Sequence, residues 1–275
     1  MKYLPENTNS KNLRPKKSLG QNFLKSAQAL RDIIRAGDVT SVDTILEIGP
    51  GRGALTEALL ETGARVIAIE KDRELFGYLA EKFQNEIISK KLILVEEDIL
   101  EFDLQTDKLL PKKYKLIANI PYNITGAIFR KFLGAEQQPE RMILLVQKEV
   151  AERIVARDKK ESILSIAVKV YGTPKIIVKV PARYFSPAPK VDSAIIAVTG
   201  ISRNNLKTIS EELFFEIVRA GFTHKRKVLI RNLEELKIKK ELLNDVWIKL
   251  GLSPKVRAEE LGIGVWIALA KELKK

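Results

Sequence analysis

The chain has 275 residues, of which 45% are hydrophobic, so its length and composition allow one large and one small folded domain. It contains no cysteine and a single histidine, which excludes disulfides, thiolate metal sites and cysteine nucleophiles. No apolar run reaches the roughly 20 residues of a membrane helix, and residues 1–17 lack the apolar core of a secretion signal. We therefore expect a cytoplasmic, monomeric protein that uses no metal and no membrane.

The formal net charge of +13 indicates a polyanionic partner, although a basic enzyme without such a partner is the alternative. Most of the excess of Lys and Arg over Asp and Glu lies at the two ends of the chain. Residues 1–25 contain six Lys or Arg against Glu6 alone, and residues 201–275 contain sixteen against ten acidic residues. This distribution favours nucleic acid as the partner. The candidate contacts are Lys16, Lys17, Lys225, Arg226, Lys227 and Arg231.

From residue 25 to residue 157, segments with strand and helix patterns alternate. Such alternation predicts an α/β fold with a mostly parallel sheet and helices on both faces. The predicted strands are residues 44–48, 65–69, 92–95, 115–118 and 142–146, and the predicted helices are residues 25–37, 54–61, 72–83, 124–133 and 148–157.

The pattern changes after residue 160. Residues 163–171, 175–180 and 193–198 are β-rich and too close together for helical crossovers, so we expect antiparallel strands. From about residue 202 the spacing is helical to the end. We predict two domains, an α/β domain of residues 1–200 that includes a basic N-terminal arm and a small helical domain of residues 201–275.

A glycine-rich loop follows the first predicted strand, in the order Glu47-Ile-Gly49-Pro-Gly51-Arg-Gly53. Glycines allow a sharp turn and a close approach of the backbone to a ligand. The spacing differs from the G-x-G-x-x-G of dinucleotide-binding folds. It therefore favours S-adenosylmethionine, which has no phosphate, and a Rossmann-like class I methyltransferase domain.

Two acidic residues stand at the ends of the next two strands, where open α/β sheets bind ligands. Glu70 is placed to accept hydrogen bonds from a ribose diol, and Asp98 from an adenine amino group. A solvated strand end and a turn residue are the alternatives for these two positions.

The most specific motif is Asn119-Ile120-Pro121-Tyr122, directly after the fourth strand. Proline restricts both itself and Ile120, so the loop presents the Asn119 amide oxygen and the Ile120 carbonyl in fixed positions. We expect both to accept hydrogen bonds from an adenine N6, while Tyr122 stacks on the base. Phe185, between prolines, is expected to pack on its other face; the alternative for Phe185 is a buried loop anchor.

At these motifs the chain resembles the KsgA/Erm family of ribosomal RNA adenine dimethyltransferases, and most closely the KsgA branch. Six ordered blocks carry the resemblance: residues 17–24 (KSLGQNFL), 46–56 (LEIGPGRGALT), 119–124 (NIPYNI), 146–154 (VQKEVAERI), 185–193 (FSPAPKVDS) and 218–232 (VRAGFTHKRKVLIRN). The chain departs from the family at Glu161-Ser162, where many relatives carry Tyr-Gly.

The resemblance implies dimethylation of two adjacent adenosines in the 3′-terminal hairpin of small-subunit ribosomal RNA, free or in an assembling subunit. It implies that S-adenosylmethionine is bound in the first domain and RNA in the second. The cofactor contacts that it implies are Asn22, Leu24, Gly49, Glu70, Asp98 and Asn119.

Four alternatives remain at this stage. A large-subunit methyltransferase of the Erm type is the nearest, and the C-terminal block and the PKVDS segment argue against it. A ribosome-assembly or transcription factor that keeps the fold without turnover is a second. A DNA adenine methyltransferase is disfavoured by the amide of Asn119, and a nicotinamide-dependent dehydrogenase by the glycine spacing.

Overall fold

The computed structural model describes residues 13–104, 109–236 and 238–274, and of Lys17 only the backbone. The strands are β1 (Phe23–Leu24), β2 (Thr44–Ile48), β3 (Arg65–Glu70), β4 (Leu92–Glu96), β5 (Lys115–Asn119), β6 (Arg141–Gln147), β7 (Thr173–Val180), β8 (Phe185–Ser186) and β9 (Ser193–Thr199). The helices are α1 (Ala27–Gly37), α2 (Ala54–Glu61), α3 (Arg73–Lys82), α4 (Gln84–Ile88), α5 (Thr125–Leu133), α6 (Lys148–Val155), α7 (Ile163–Lys169), α8 (Glu211–Gly221), α9 (Leu229–Leu233), α10 (Lys240–Lys249) and α11 (Ile263–Glu272).

Seven strands form one sheet in the order β4-β3-β2-β5-β6-β9-β7. The pairs from β4 to β6 are parallel, and β9 is antiparallel to β6. The predicted α/β fold with a mostly parallel sheet is therefore confirmed. The strand order reverses between β2 and β5, and the crevice at the carboxyl ends of the strands beside such a reversal is where α/β sheets bind ligands.

The inner strands β2, β3, β5 and β6 form because their side chains are apolar on both faces, as expected for a sheet covered on two sides. The residues of β6 from Met142 to Val146 are all fully buried. Helices α1 and α3 begin at polar caps that the sequence offers: the Ser26 side chain accepts from the Ala29 N–H, and the Asp72 side chain accepts from the Glu74 N–H.

One predicted element is wrong. Residues 163–171 are not a strand, because Ile163–Lys169 forms helix α7. Ser162 caps this helix by accepting from the Ser165 N–H, while Ser165 Oγ accepts from the Ser162 N–H. This reciprocal cap outweighs the β-branched composition of the segment.

By its contacts the chain divides into two compact units. One contains the described residues up to Ala151 together with Lys175–Thr199, and the other contains Glu152–Pro174 and Gly200–Lys275. The last of the three junctions, between Thr199 and Gly200, lies one residue before the predicted boundary after residue 200. The second unit also includes the segment around α7, which the prediction placed in the first domain.

The second unit has an aromatic core, in which the rings of Phe222 and Trp266 stack with centroids 5.5 Å apart. Between α8 and α9 the chain makes an exposed turn of residues 224–227, which we call the basic turn. The buried amide of Asn232 donates to the carbonyls of Gly221 and His224 and so braces this turn. None of the helices in the described parts of the chain is long and apolar enough to cross a membrane.

Candidate active site

A cavity of about 350 Å³ opens in the first unit beside the reversal of strand order, a volume typical of small-molecule sites. Its walls come from the loops after β2, β3, β4 and β5 and from the segment that includes β1. The lining residues are 18–24, 47–52, 54–55, 69–71, 75, 97–100 and 119–124. Sequence reasoning therefore predicted every segment of the wall that follows a strand.

Gly49 opens the glycine-rich loop with φ at +62°, a conformation that side chains other than glycine rarely adopt. A Cβ at this position would meet no heavy atom within 4 Å. The backbone at Gly49 thus borders open space in the cavity, so a ligand can lie directly against it.

Glu70 ends β3 and is 6% exposed. Its Oε2 accepts from the Gly51 N–H at 3.1 Å and its Oε1 from the Asp72 N–H at 2.8 Å. Burial raises the pKa of this carboxyl. Because each carboxylate oxygen has two lone pairs, Glu70 can accept further hydrogen bonds from a ligand's hydroxyl groups in the cavity.

Asp98 follows β4 in the cavity wall and is held from two sides. Its Oδ1 accepts from the Leu100 N–H at 2.9 Å, and its Oδ2 pairs with Lys71 Nζ. Burial opposes ionisation, but the hydrogen bonds from Lys71 and the Leu100 N–H, together with the charges of Lys71 and Lys131, outweigh it and keep the pKa of Asp98 below its usual range. Asp98 is therefore a fixed, ionised acceptor in the cavity wall.

Glu47 is a cavity residue for which sequence reasoning proposed no role. It is 1% exposed, and burial raises the pKa of its carboxyl to about 8. Its Oε2 accepts from no donor within residues 13–104, 109–236 and 238–274. Glu47 is the first residue of the E-x-G-x-G-x-G pattern, and this position in the motif could have indicated that it lies in the cavity wall. The wall thus contains three carboxyl groups, of Glu47, Glu70 and Asp98, and this set suits a cationic ligand such as a sulfonium compound better than a phosphate.

Asn119 ends β5, and its side chain is fixed by the N-terminal segment. Its Nδ2 donates to the backbone carbonyl of Asn22 at 3.0 Å. A carbonyl only accepts, so this contact determines which end of the amide is the NH₂ group. The other end, Oδ1, is left to accept a hydrogen bond from a molecule in the cavity. Asn22 in turn donates from Nδ2 to the Gly20 carbonyl.

Ile120, Pro121 and Tyr122 continue the cavity wall after Asn119. The Ile120 side chain is buried, at 2% exposure, which anchors the loop to the core. The Tyr122 hydroxyl lies 2.7 Å from Ser193 Oγ, so the aromatic ring is held by the start of β9. The predicted motif thus forms one rigid wall.

Phe185 lies elsewhere than we expected. It is 2% exposed in the hydrophobic core and pairs with Leu24 in the two-stranded β1–β8 sheet. It does not belong to the cavity wall, so in this structure its ring offers no face to a base. The alternative of a buried loop anchor describes it: Phe185 holds the cavity residue Leu24 in place.

Lys16, which we predicted to contact RNA, is engaged within the first unit. Its Nζ lies 2.7 Å from Asp72 Oδ1 and 3.1 Å from Glu74 Oε2. The hydrogen bond that Lys16 donates to Asp72 raises the pKa of Lys16. The side chain of Lys17 lies outside the described residues.

The remaining candidates for RNA contact lie in the second unit. Lys225, Arg226 and Lys227 are exposed in the basic turn, where their charges face solvent. Arg231, on α9, is exposed and pairs with Glu234 at 3.1 Å. The structure thus groups the three turn residues, while a carboxylate partly offsets the charge of Arg231.

In the described parts of the chain, no group of three or more His, Cys, Asp or Glu side chains is placed to hold a metal ion.

Comparison with known proteins connects this geometry with one family. The family model described as "Ribosomal RNA adenine dimethylase" matches residues 12–275. Two curated relatives named "Ribosomal RNA small subunit methyltransferase A" are similar over almost their whole lengths. The one from Dehalococcoides mccartyi (strain CBDB1) is 40% identical over 94% of this chain and 89% of that protein. The one from Caldanaerobacter subterraneus is 38% identical over 95% and 98%.

Solved structures share the fold. A dimethyladenosine transferase from Plasmodium falciparum superposes with a TM-score of 0.77 and 26% identity, over 92% of this chain and 97% of that one. The 23S rRNA methyltransferase ErmE superposes with a TM-score of 0.73 over 92% and 100%, at 24% identity, and this likeness concerns the fold alone.

Proposed function

Because the chain belongs to the ribosomal RNA adenine dimethylase family, we propose that it dimethylates N6 of two adjacent adenosines in the 3′-terminal hairpin of small-subunit ribosomal RNA. The methyl donor is S-adenosylmethionine, which supplies an electrophilic methyl group on a sulfonium sulfur when bound. Relatives at about 40% identity named as small-subunit methyltransferases support the choice of subunit. The proposed substrate is the RNA in an assembling subunit, which would link the enzyme, as a cytoplasmic monomer, to subunit biogenesis.

The observation that carries this proposal is the fixed amide of Asn119 in the cavity wall. The lone pair of an adenine amino group is delocalised into the ring, so the amine is a poor nucleophile. Asn119 Oδ1 and the Ile120 carbonyl are proposed to accept its two hydrogens. These contacts favour a more tetrahedral nitrogen with its lone pair directed at the methyl group, which is catalysis by positioning and preorganised dipoles.

The proposed reaction needs no histidine or cysteine base, because of the acidity of its product. Once alkylated, the amine nitrogen carries a positive charge and readily loses a proton to water. The target base must leave its stack to reach the cavity, and the Tyr122 ring, held by Ser193, is proposed to stack on it. Phe185 is not part of this proposal because its ring is in the core.

The proposed cofactor contacts follow the cavity wall. Glu70 is proposed to hold the ribose diol, Asp98 the adenine amino group, and Gly49 the amino-acid portion against its open backbone. Asn22, Leu24 and Asn119 complete the site. Glu47 adds a buried carboxyl, protonated at neutral pH in the cofactor-free protein, that is proposed to ionise beside the positive charge of the bound cofactor.

For RNA, the proposed contacts are the exposed cations of the basic turn, with Arg231 and Lys17 as further candidates. Contacts to phosphates supply affinity without reading sequence, so the choice of adenosines must come from the cavity and from the shape of the hairpin.

The test is methyl transfer from labelled S-adenosylmethionine to small subunits purified from cells that lack this protein. We expect label in the small-subunit RNA, with two neighbouring dimethyladenosines as stops in primer extension. Large subunits from the same cells serve as the comparison. Label in the large-subunit RNA alone would contradict the proposed substrate, and cofactor binding without transfer to either would contradict the proposed activity.

A further inference from the structure

Residues 18–24 form one wall of the cavity, yet only the end of this segment belongs to a sheet. Phe23 and Leu24 pair with β8, and the Lys25 N–H donates to the Tyr184 carbonyl at 2.8 Å. The part of the wall before Phe23 therefore depends on other contacts to hold its position.

One such contact is the hydrogen bond from Asn119 Nδ2 to the Asn22 carbonyl, and Asp72 supplies others from outside the cavity. Its Oδ1 accepts from Lys16 Nζ at 2.7 Å and its Oδ2 accepts from Gln21 Nε2 at 2.8 Å. Gln21 Oε1 in turn accepts from the Lys16 N–H at 2.8 Å. These three hydrogen bonds close a ring around the start of the segment, which we call the Asp72 clasp.

The clasp is built on an ionised carboxylate. The Asp72 side chain is only 2% exposed, whereas that of Lys16 is 38% exposed. Burial opposes ionisation, but the hydrogen bonds from Lys16 and Gln21 outweigh it and keep the pKa of Asp72 below its usual range. Loss of the Lys16 charge would leave a buried carboxylate without its cation, which is costly.

Asp72 is also joined to the proposed ribose acceptor. Its backbone N–H donates to Glu70 Oε1 at 2.8 Å, and its side chain caps α3. The carboxyl group of Glu70 thus lies in the cavity wall, and that of Asp72, two residues later, contacts Lys16 and Gln21 at the start of the N-terminal wall segment. A shift of Asp72 would affect both.

We infer that Asp72 is a positioning residue that, through Lys16 and Gln21, holds residues 18–24 in place as a wall of the cofactor site, so that Lys16 serves cofactor binding and not RNA binding. This inference rests on the proposed function, because it takes the cavity to be the cofactor site. Asp72 itself does not line the cavity.

The test measures the affinity for S-adenosylmethionine by titration calorimetry with the full chain, in wild type, Lys16→Met, Asp72→Asn and the double variant. Asn retains the side-chain oxygen needed to cap α3, so Asp72→Asn removes the charge without removing the cap. A control is Lys249→Met, which breaks an ion pair of the same length, 2.7 Å, with Glu272 in the second unit.

We expect Lys16→Met to weaken cofactor affinity on the order of tenfold, the range of a charge-assisted hydrogen bond. In the Asp72→Asn background the same substitution should have little further effect, because its partner is already neutral. Hydrogen exchange in the cofactor-free protein supplies a readout independent of binding: residues 16–22 should exchange faster in Lys16→Met than in Lys249→Met. The affinity for RNA should stay unchanged.

Three results would contradict the inference. The first is a change in cofactor affinity in Lys16→Met that is no larger than the change in Lys249→Met. The second is a loss of cofactor affinity on adding Lys16→Met to Asp72→Asn that equals the loss on adding it to wild type. Weaker RNA binding with unchanged cofactor binding would return Lys16 to its predicted RNA role. Failure of the proposed function is distinguished by a separate variant, Glu70→Ala, which tests whether the cavity binds the cofactor at all. If the cavity is not the cofactor site, Glu70→Ala binds S-adenosylmethionine as tightly as wild type does.

Discussion

The side-chain amide of Asn119 donates to the backbone carbonyl of Asn22 across 3.0 Å, joining residues 97 positions apart in the chain. This contact links the loop after β5 to the segment before β1. It fixes the amide with its oxygen available to the cavity, so the same hydrogen bond connects the cofactor wall to the site proposed for the target amine.

Asn119→Ala removes the proposed acceptor and also the hydrogen bond to the Asn22 carbonyl, while leaving the backbone of the loop in place. We expect kcat for methyl transfer to small subunits to fall by about 100-fold or more, as when a preorganised transition-state contact is removed. Single-turnover assays at saturating S-adenosylmethionine measure this directly. Asn85→Ala, at an exposed asparagine of α4 that does not line the cavity, is the control, and equal losses in both variants would show that the Asn119 amide has no special role.

Glu47→Gln is expected to stabilise the cofactor-free protein at neutral and alkaline pH. The unfolded carboxyl ionises near pH 4.3, whereas burial keeps the folded one protonated to about pH 8. Rising pH in this window therefore favours the unfolded state, and stability is lost as pH increases.

The free energy of unfolding of Glu47→Gln should exceed that of wild type by a margin that grows by on the order of 3 kcal/mol from pH 5 to pH 8. Urea unfolding at each pH measures both values. Glu61→Gln, at the exposed end of α2, is the control and should show no such dependence. A difference that stays constant over this range would mean that Glu47 is ionised in the folded protein.

Substitution of Lys225, Arg226 and Lys227 by Ala is expected to weaken RNA binding at low salt. Each phosphate contact that is lost should also reduce the slope of log affinity against log salt by about 0.7 to 0.9. Filter binding of a small-subunit RNA fragment at several salt concentrations gives both quantities. The control removes the same charge from exposed lysines elsewhere in the second unit: Lys239, Lys240 and Lys255. An equal effect of the two triple variants would indicate a nonspecific charge effect.

Phe185→Ala is expected to act on stability and not on recognition of the base. A fully buried phenylalanine costs about 3 to 5 kcal/mol when truncated to alanine, and Phe185 is 2% exposed. Thermal unfolding should show this loss. Phe185→Leu should recover most of the stability together with methyl transfer, whereas a stably folded Phe185→Leu that transfers no methyl groups would restore the predicted stacking role.

The sequence predicted the strand-end half of the site because the carboxyl ends of parallel strands converge at one edge. Gly49, Glu70, Asp98 and Asn119 each follow a strand whose apolar run is plain, and all four line the cavity. The roles assigned to them stay predictions until the variants are measured.

What the sequence could not provide was the pairing of distant segments. The two-residue strand β1 is too short to have a pattern, and its pairing with β8 is what buries Phe185. The contact of Lys16 with Asp72 joins residues 56 positions apart, and in sequence a lysine in a basic arm looks the same whether it meets RNA or a carboxylate.

The cap of α7 lies at the position where the chain departs from the family pattern. Glu161 and Ser162, which replace the Tyr-Gly of many relatives, serve a salt bridge to Lys169 at 2.6 Å and the start of a helix. Neither residue lines the cavity. The departure from the family pattern at these two positions therefore lies in a helix start outside the proposed cofactor site.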